Sequence, residues 1–347
     1  MQPVRFGLIG YGSWGSHHAR AIAGASGAEL VALAACSEAS RAAAQALYPQ
    51  TKTHADYRDL LRRDDIDVVD VVLPSDLHFE VGMAALEAGK HLLMEKPLAL
   101  RADLCRQLCA RAKTRGRLLA VGFELRLSEL WGKVKEMLAD GAVGEPLYAL
   151  IELWRRPYRL GSQAWRYDID RVGSWVLEEP VHFFDLARWY FADVGDPISV
   201  YACANSRQPG RPELQDNFTA VVQFPRGAYA VIAQTLAAFE HHQTVKITGT
   251  RGALWAQWHG ALDRDERPSF SLKHFDGKQV AEVPLKEPAG EIFELEREIA
   301  MIVRCVRDGS APAASGQDGT WAVALCEAAH ESIRSGGSAS VEALRLR

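Results

Sequence analysis

A chain of 347 residues, 48% hydrophobic and 24% charged, is long enough for two domains with cores of their own. Its net charge of −4 argues against a nucleic-acid-binding surface, which is usually basic. No apolar run approaches the length of about 18 residues that suggests a membrane span, and no basic-then-apolar leader precedes the first strand.

The first ~120 residues alternate between two periods. "VRFGLIG" reads as a strand and "SHHARAIAGA" as a helix. "ELVALAAC" is a strand, and "SEASRAAAQALY" is an alanine-rich helix. "DYRDLLRRDD" is helical, "DVVDVVLP" a strand, "LHFEVGMAALEAG" a helix and "KHLLMEKPLA" a strand at its start. "RADLCRQLCARAKTRG" and "RLLAVGFEL" complete the run as helix and strand. Nearly continuous apolar strands alternating with helices predict a parallel sheet covered on both faces. Cys105 and Cys109, four apart on one helix, have no third or fourth ligand nearby, so no metal site is expected. The six cysteines are scattered, as free thiols in a cytoplasmic protein would be.

Beyond residue 122 the rhythm changes. "LSELWGKVKEMLADG" is a helix, "LYALIELWRR" a strand, and "EEPVHFFDLARWYF" a helix with Pro180 at its start, where proline is tolerated. "PISVYACAN", "NFTAVVQFP", "AYAVIAQTLAAF", "TVKITGT" and "GALWAQWHG" are strands joined by short turns. Two helices, each stopped by glycine, close the chain, with 308–320 expected as a loop between them. The predicted fold class is α/β. A Rossmann dinucleotide-binding domain spans 1–122. An α+β domain with a large, open, mostly antiparallel sheet spans 123–347, and its closing helices are candidates to pack back on the first domain.

Gly10, Gly12 and Gly15 form G-x-G-x-x-G after a strand and at the start of a helix, the context that the motif requires. Gly10 permits the tight turn, Gly12 lets the backbone approach a pyrophosphate, and Gly15 lets helix and strand pack. Ser13 and Trp14 lie inside the same loop and are candidate nucleotide contacts, since the helix start offers unpaired N–H groups to an anion. The second strand ends in "AACSEASR". Ser37, Glu38 and Arg41 are therefore the candidates for the ribose. An acid there favours NAD, and serines with arginine suit NADP; Glu38 tips the expectation toward NAD.

The segment 73–97, "LPSDLHFEVGMAALEAGKHLLMEKP", with Pro74, His78 and Glu95-Lys96-Pro97, resembles the Gfo/Idh/MocA family of NAD(P)-dependent oxidoreductases. The resemblance runs through "VGFELR" and the segment 173–189. It implies that Pro74, His78, Glu95 and Lys96 border the cofactor, and that Lys96 reaches the oxygen on the reacting carbon, where a lysine stabilises a developing alkoxide. Pro97 is a candidate for a cis peptide. In "GSWVLEEPVHFFDLARWY", His182 and Asp185 match the family's final His and Asp, and Glu178 stands where the family has an upstream Asp. The chain departs from the pattern at Ser174 and Pro180, where the family has glycines.

Oxidising an alcohol needs a base for the hydroxyl proton, and an imidazole titrating near neutrality suits His182. Glu178, four residues earlier, is expected on the same side of a helical turn, where it orients the imidazole. Arg126, Trp154, Trp165, Glu179 and Asp185 are the substrate-binding candidates. Aromatic faces suit a sugar or polyol; aromatics with Glu178 and Glu179 also suit a cationic amine, and core packing is the alternative for the rings. The resemblance leaves two other readings open: a redox-neutral enzyme with tightly bound NAD(P), and a non-catalytic regulator. It also implies a homodimer or homotetramer built on the open sheet.

Overall fold

The computed structural model describes residues 2–208 and 210–341. The chain forms two compact units. One holds the residues up to Glu124 together with Glu294–Thr320, and the other holds Leu125–Phe293 and the chain from Trp321 onward.

In the first unit β1 (Val4–Ile9), β2 (Ala28–Ala34), β3 (Lys52–His54), β4 (Val68–Val71), β5 (His91–Glu95) and β6 (Leu119–Gly122) form one sheet in the order β3-β2-β1-β4-β5-β6. Every pairing is parallel. The connections carry α1 (Ser13–Gly24), α2 (Glu38–Leu47), α3 (Tyr57–Leu61), α4 (His78–Glu87) and α5 (Ala102–Arg115). β4 is buried at all four positions, as a strand covered on both faces must be. Strand order reverses at β1, so the loops after β1 and β4 face each other at the switch point where open α/β sheets bind ligands. β3, three residues long, escaped the sequence reading because "KTH" carries no apolar pattern.

The second unit contains α6 (Glu129–Ala139), β7 (Pro146–Arg155), α7 (Ile169–Val172), α8 (Trp175–Glu178), α9 (Pro180–Tyr190), β8 (Ser199–Asn205), β9 (Asn217–Gln223), β10 (Tyr229–Thr235), β11 (His241–Gly249), β12 (Ala253–Gly260), β13 (Ser269–Phe275) and β14 (Val280–Glu282). After α10 (Glu291–Asp308) and α11 (Gly316–Ser335) comes β15 (Ala339–Ser340). The nine-stranded sheet runs β14-β13-β12-β11-β7-β10-β9-β8-β15. It is antiparallel except where β10 runs parallel to β7. α9 lies against β10 and β7, and Phe184 on α9 meets Phe218 on β9 edge to face at 6.2 Å. The other face keeps Trp154, Tyr201, Tyr229 and Trp255 exposed. Among the described residues no helix is long and apolar enough to cross a membrane.

The stretch 308–320 is not a loop throughout. Val121 N donates to Ala314 O at 3.1 Å, and Ser315 bridges to Ala120 on β6. Ser315 then caps α11: its Oγ donates to Asp318 Oδ2 at 2.7 Å, and Asp318 N donates back to Ser315 Oγ at 3.4 Å. The Ser-x-x-Asp spacing is a capping-box signal in the sequence, masked there by the surrounding Gly, Ala and Ser.

Candidate functional site

The nucleotide loop follows from where side chains are forbidden. Gly10 has φ +104°, and a Cβ there would stand 2.0 Å from Val72 O, the backbone that follows β4. A Cβ on Gly15 would stand 2.2 Å from Gly10 O. These two glycines bring β1, β4 and α1 together. Gly12 is different: a Cβ there meets nothing within 4 Å. Gly12 and Ser13 are exposed at the start of α1, leaving an open approach to the helix N-terminus. The cradle fits a dinucleotide pyrophosphate.

At the end of β2 no acid follows directly. Ser37 caps α2 through Ser40 N at 3.4 Å, and Glu38 is exposed in its first turn. Arg41 curls back, its Nη1 donating to Ala35 O and Cys36 O at 2.7 and 2.8 Å. That guanidinium is partly engaged in capping the strand's carbonyls.

His78 is buried, with Nδ1 2.6 Å from Pro97 O and Nε2 2.9 Å from Leu73 O. It ties the loop after β4, including Pro74, to the Lys96–Pro97 turn after β5. That peptide is cis. Lys96 is half-buried, and its backbone N donates to Glu95 Oε2 at 3.1 Å. The other oxygen, Glu95 Oε1, accepts from Trp14 Nε1 at 2.9 Å. One carboxylate therefore joins the glycine loop to Lys96. Burial raises the Glu95 pKa, but the bonds and charge of His18 outweigh it and hold the carboxyl at about 2.

In the second unit the expected i, i+4 helix is broken. α8 ends at Glu178, Glu179 has φ −131° and ψ −52°, and α9 starts at Pro180. His182 is buried in the first turn of α9, its N donating to Glu179 O at 3.0 Å. Glu178 Oε1 accepts from Arg166 Nε at 2.6 Å. Glu179 Oε2 accepts from Arg155 Nη1 and Tyr158 Oη, both at 3.2 Å. Arg155 also meets Asp263 Oδ2 at 3.1 Å. The two adjacent acids thus end on different arginines.

Arg126 and Asp185, expected to contact substrate, pair with each other: Nε and Nη2 donate to the two carboxylate oxygens at 2.7 and 2.6 Å, both side chains buried. Trp165 belongs to a buried cluster with Tyr158, Val172, Trp175, Leu214 and Leu236. Trp154 is 54% exposed on β7, aligned with Thr235 and His242 on the open sheet face.

Sequence reading missed two buried glutamines that flank Leu153 on the covered face. Gln234, Leu153 and Gln243 align across β10, β7 and β11, and all are buried. Gln234 is 4% exposed, and neither of its amide atoms has a hydrogen-bond partner among the described residues. Its cross-strand neighbour on β9 is Phe218, the ring that meets Phe184 two residues after His182. His241, opposite Arg155, is drawn down to about 3 by burial and by the Arg155 charge, so it is a neutral imidazole. An alternating in/out strand carrying glutamine on its inner side was the available signal.

The profile described as "Oxidoreductase family, NAD-binding Rossmann fold" matches residues 4–123, and that of the "GFO/IDH/MocA C-terminal domain" matches residues 131–255. The chain belongs to the Gfo/Idh/MocA oxidoreductases. It is similar to an inositol 2-dehydrogenase of Rhizobium meliloti (strain 1021), 29% identical over 95% of this chain and 97% of the relative. It is also similar to a 1,5-anhydro-D-fructose reductase of Ensifer adhaerens, 27% identical over 97% of this chain and 98% of the relative. Among solved structures, an aldose-aldose oxidoreductase from Caulobacter crescentus shares the fold with a TM-score of 0.84 at 19% identity, over 98% of this chain and all of that one. As a Gfo/Idh/MocA member the protein is an NAD(P)-dependent oxidoreductase, with the parallel and the mostly antiparallel sheets that this family combines.

Proposed function

We propose that the protein is a dehydrogenase that interconverts a secondary hydroxyl and a carbonyl on a sugar or polyol, with NAD as its cofactor. The observation that carries the reading is the Glu95 carboxylate joining the nucleotide loop, through Trp14, to Lys96 at the end of β5. Relatives named as an inositol dehydrogenase and an anhydrofructose reductase support the substrate class. Bound nicotinamide supplies the hydride acceptor or donor.

The chain's own residues handle the proton and the oxygen. Lys96 stabilises the oxygen as negative charge develops on it. His182 takes the hydroxyl proton during oxidation and returns one during reduction. Glu178, fixed by Arg166, is the carboxylate assigned to stabilise the charged imidazole. Because Glu178 and Glu179 are already ion-paired, a neutral hydroxylated substrate suits the unit better than an ammonium ion. The Gln234 amide, unpartnered among the described residues, supplies both a donor and an acceptor for substrate hydroxyls. Arg126 and Asp185 brace α9 and act on substrate only through it. For the cofactor, exposed Glu38 and the partly engaged Arg41 disfavour a 2′-phosphate.

Lys96→Ala and His182→Ala test the roles. Each is expected to lower kcat by at least about 100-fold, in line with losses of electrostatic and acid–base catalysis, while nucleotide Kd, measured by calorimetry, stays within about threefold. Unchanged turnover in either variant sinks its assigned role.

A further inference from the structure

His18 takes no part in the mechanism above, yet it is among the most constrained polar groups in the first unit. It lies on α1, one turn after Trp14, and has no solvent exposure. Its Nδ1 is 2.8 Å from Asp70 Oδ2 on β4, and its Nε2 is 3.2 Å from Glu95 Oε1. A neutral imidazole has only one N–H and would turn a lone pair toward one of the two carboxylates. The doubly protonated ring donates to Asp70 and stands beside Glu95 as an ion pair, its Nε2 3.2 Å from Oε1 without hydrogen-bond geometry. Burial pulls the His18 pKa down, but the Asp70 and Glu95 charges outweigh it and raise the value to about 10. Glu298 on α10, also buried, adds a third carboxyl to the group. Burial and the Glu95 charge push its pKa far above the usual range, which leaves it neutral. Trp14 completes the surroundings, with its ring edge-on to His18 at 5.2 Å.

We propose that His18 is a positioning residue for Lys96. It clamps the Glu95 carboxylate where that group receives both the Lys96 amide and the Trp14 indole. The chain of contacts is short: Asp70 fixes His18, His18 fixes Glu95, and Glu95 fixes the backbone of Lys96 on one side and the glycine loop on the other. Without the cation, Glu95 is a buried charge with fewer partners and turns toward water or takes up a proton. Lys96 and the loop then lose a shared anchor. The consequence for turnover rests on the reading of Lys96 as the donor to the substrate oxygen; the clamp itself does not.

Two readouts on the full-length protein separate these layers. The first is hydrogen exchange of the Trp14 indole and the Lys96 amide, followed by NMR in wild type, His18→Gln and Asp70→Asn. Both protons are expected to exchange about tenfold faster or more in either variant, within the range that coupled groups of one network show, while amides of β1 keep their protection. The second is a kinetic cycle. His18→Gln is expected to lower kcat about tenfold or more with little change in KM, and His18→Gln/Glu95→Gln should cost no more than Glu95→Gln alone. Unchanged exchange in the folded variants overturns the clamp. Additive losses of kcat overturn the route through Glu95. If the wild type turns over no alcohol, the proposed activity fails, and the exchange measurement still decides the role of His18. Should His18→Gln not fold, Asp70→Asn tests the same clamp from its other side.

Discussion

Glu178 and Glu179 adjoin in sequence but end on different arginines, and Arg126 and Asp185, 59 residues apart, form one bidentate pair. Partners rather than residue types decide what such groups do. For a pair as buried as Arg126–Asp185, removing one member strips a buried charge of its bidentate partner. Arg126→Met should therefore destabilise the protein by about 3–5 kcal/mol, and adding Asp185→Leu should recover part of that loss; denaturant unfolding of both variants checks it. His18 makes a second prediction. Its folded pKa, about 10, lies above the ordinary histidine value, so its stabilisation is complete below about pH 6.5 and is lost as pH rises toward 10. The groups facing it are Asp70, Glu95 and Glu298. Urea midpoints for wild type should thus fall more steeply between these two pH values than those for His18→Gln; parallel curves would contradict the imidazolium assignment.

Elements set where these residues can act. The strand order β3-β2-β1-β4-β5-β6 places the glycine loop and the loop after β4 at one switch point, and the glycines there are not equivalent. Gly12→Ala has room for its methyl group, so the variant should fold normally. Its nucleotide affinity should fall by about tenfold or more, a loss of about 1.4 kcal/mol. Gly15→Ala drives a Cβ against Gly10 O and should lower the melting temperature as well. Calorimetry and thermal unfolding separate the two. This part of the fold was legible in the sequence, because glycine spacing and apolar strands are local signals. The Glu95–Lys96–Pro97 turn was legible through family resemblance. The fates of Glu178, Glu179, Arg126 and Asp185 were not, since each depends on a partner at least 12 residues away. The single helix expected through Glu178 and His182 is interrupted: Pro180 starts a new helix, and the turn at Glu179 ends the old one. Gln234 and His18 were overlooked because one reads as a strand residue and the other as a helix residue; only burial among unlike neighbours marks them.

At the scale of the molecule, the open face of the nine-stranded sheet carries Trp154, Tyr201, Tyr229 and Trp255, with Tyr148 and Tyr229 5.0 Å apart between ring centroids. Apolar rings spread over one sheet face fit association of two copies through that face. Sedimentation is expected to give a dimer or tetramer, and Tyr229→Lys is expected to shift it toward monomer; a monomeric wild type would contradict this. Hydride transfer to or from a hydroxylated carbon is read by nicotinamide absorbance. Purified protein is mixed with NAD, and separately with NADP, across a panel of sugars, polyols and methylated amines. Absorbance is expected to rise with NAD and at least one sugar or polyol, and with none of the amines. Bound nucleotide with no change in absorbance in any mixture would contradict it.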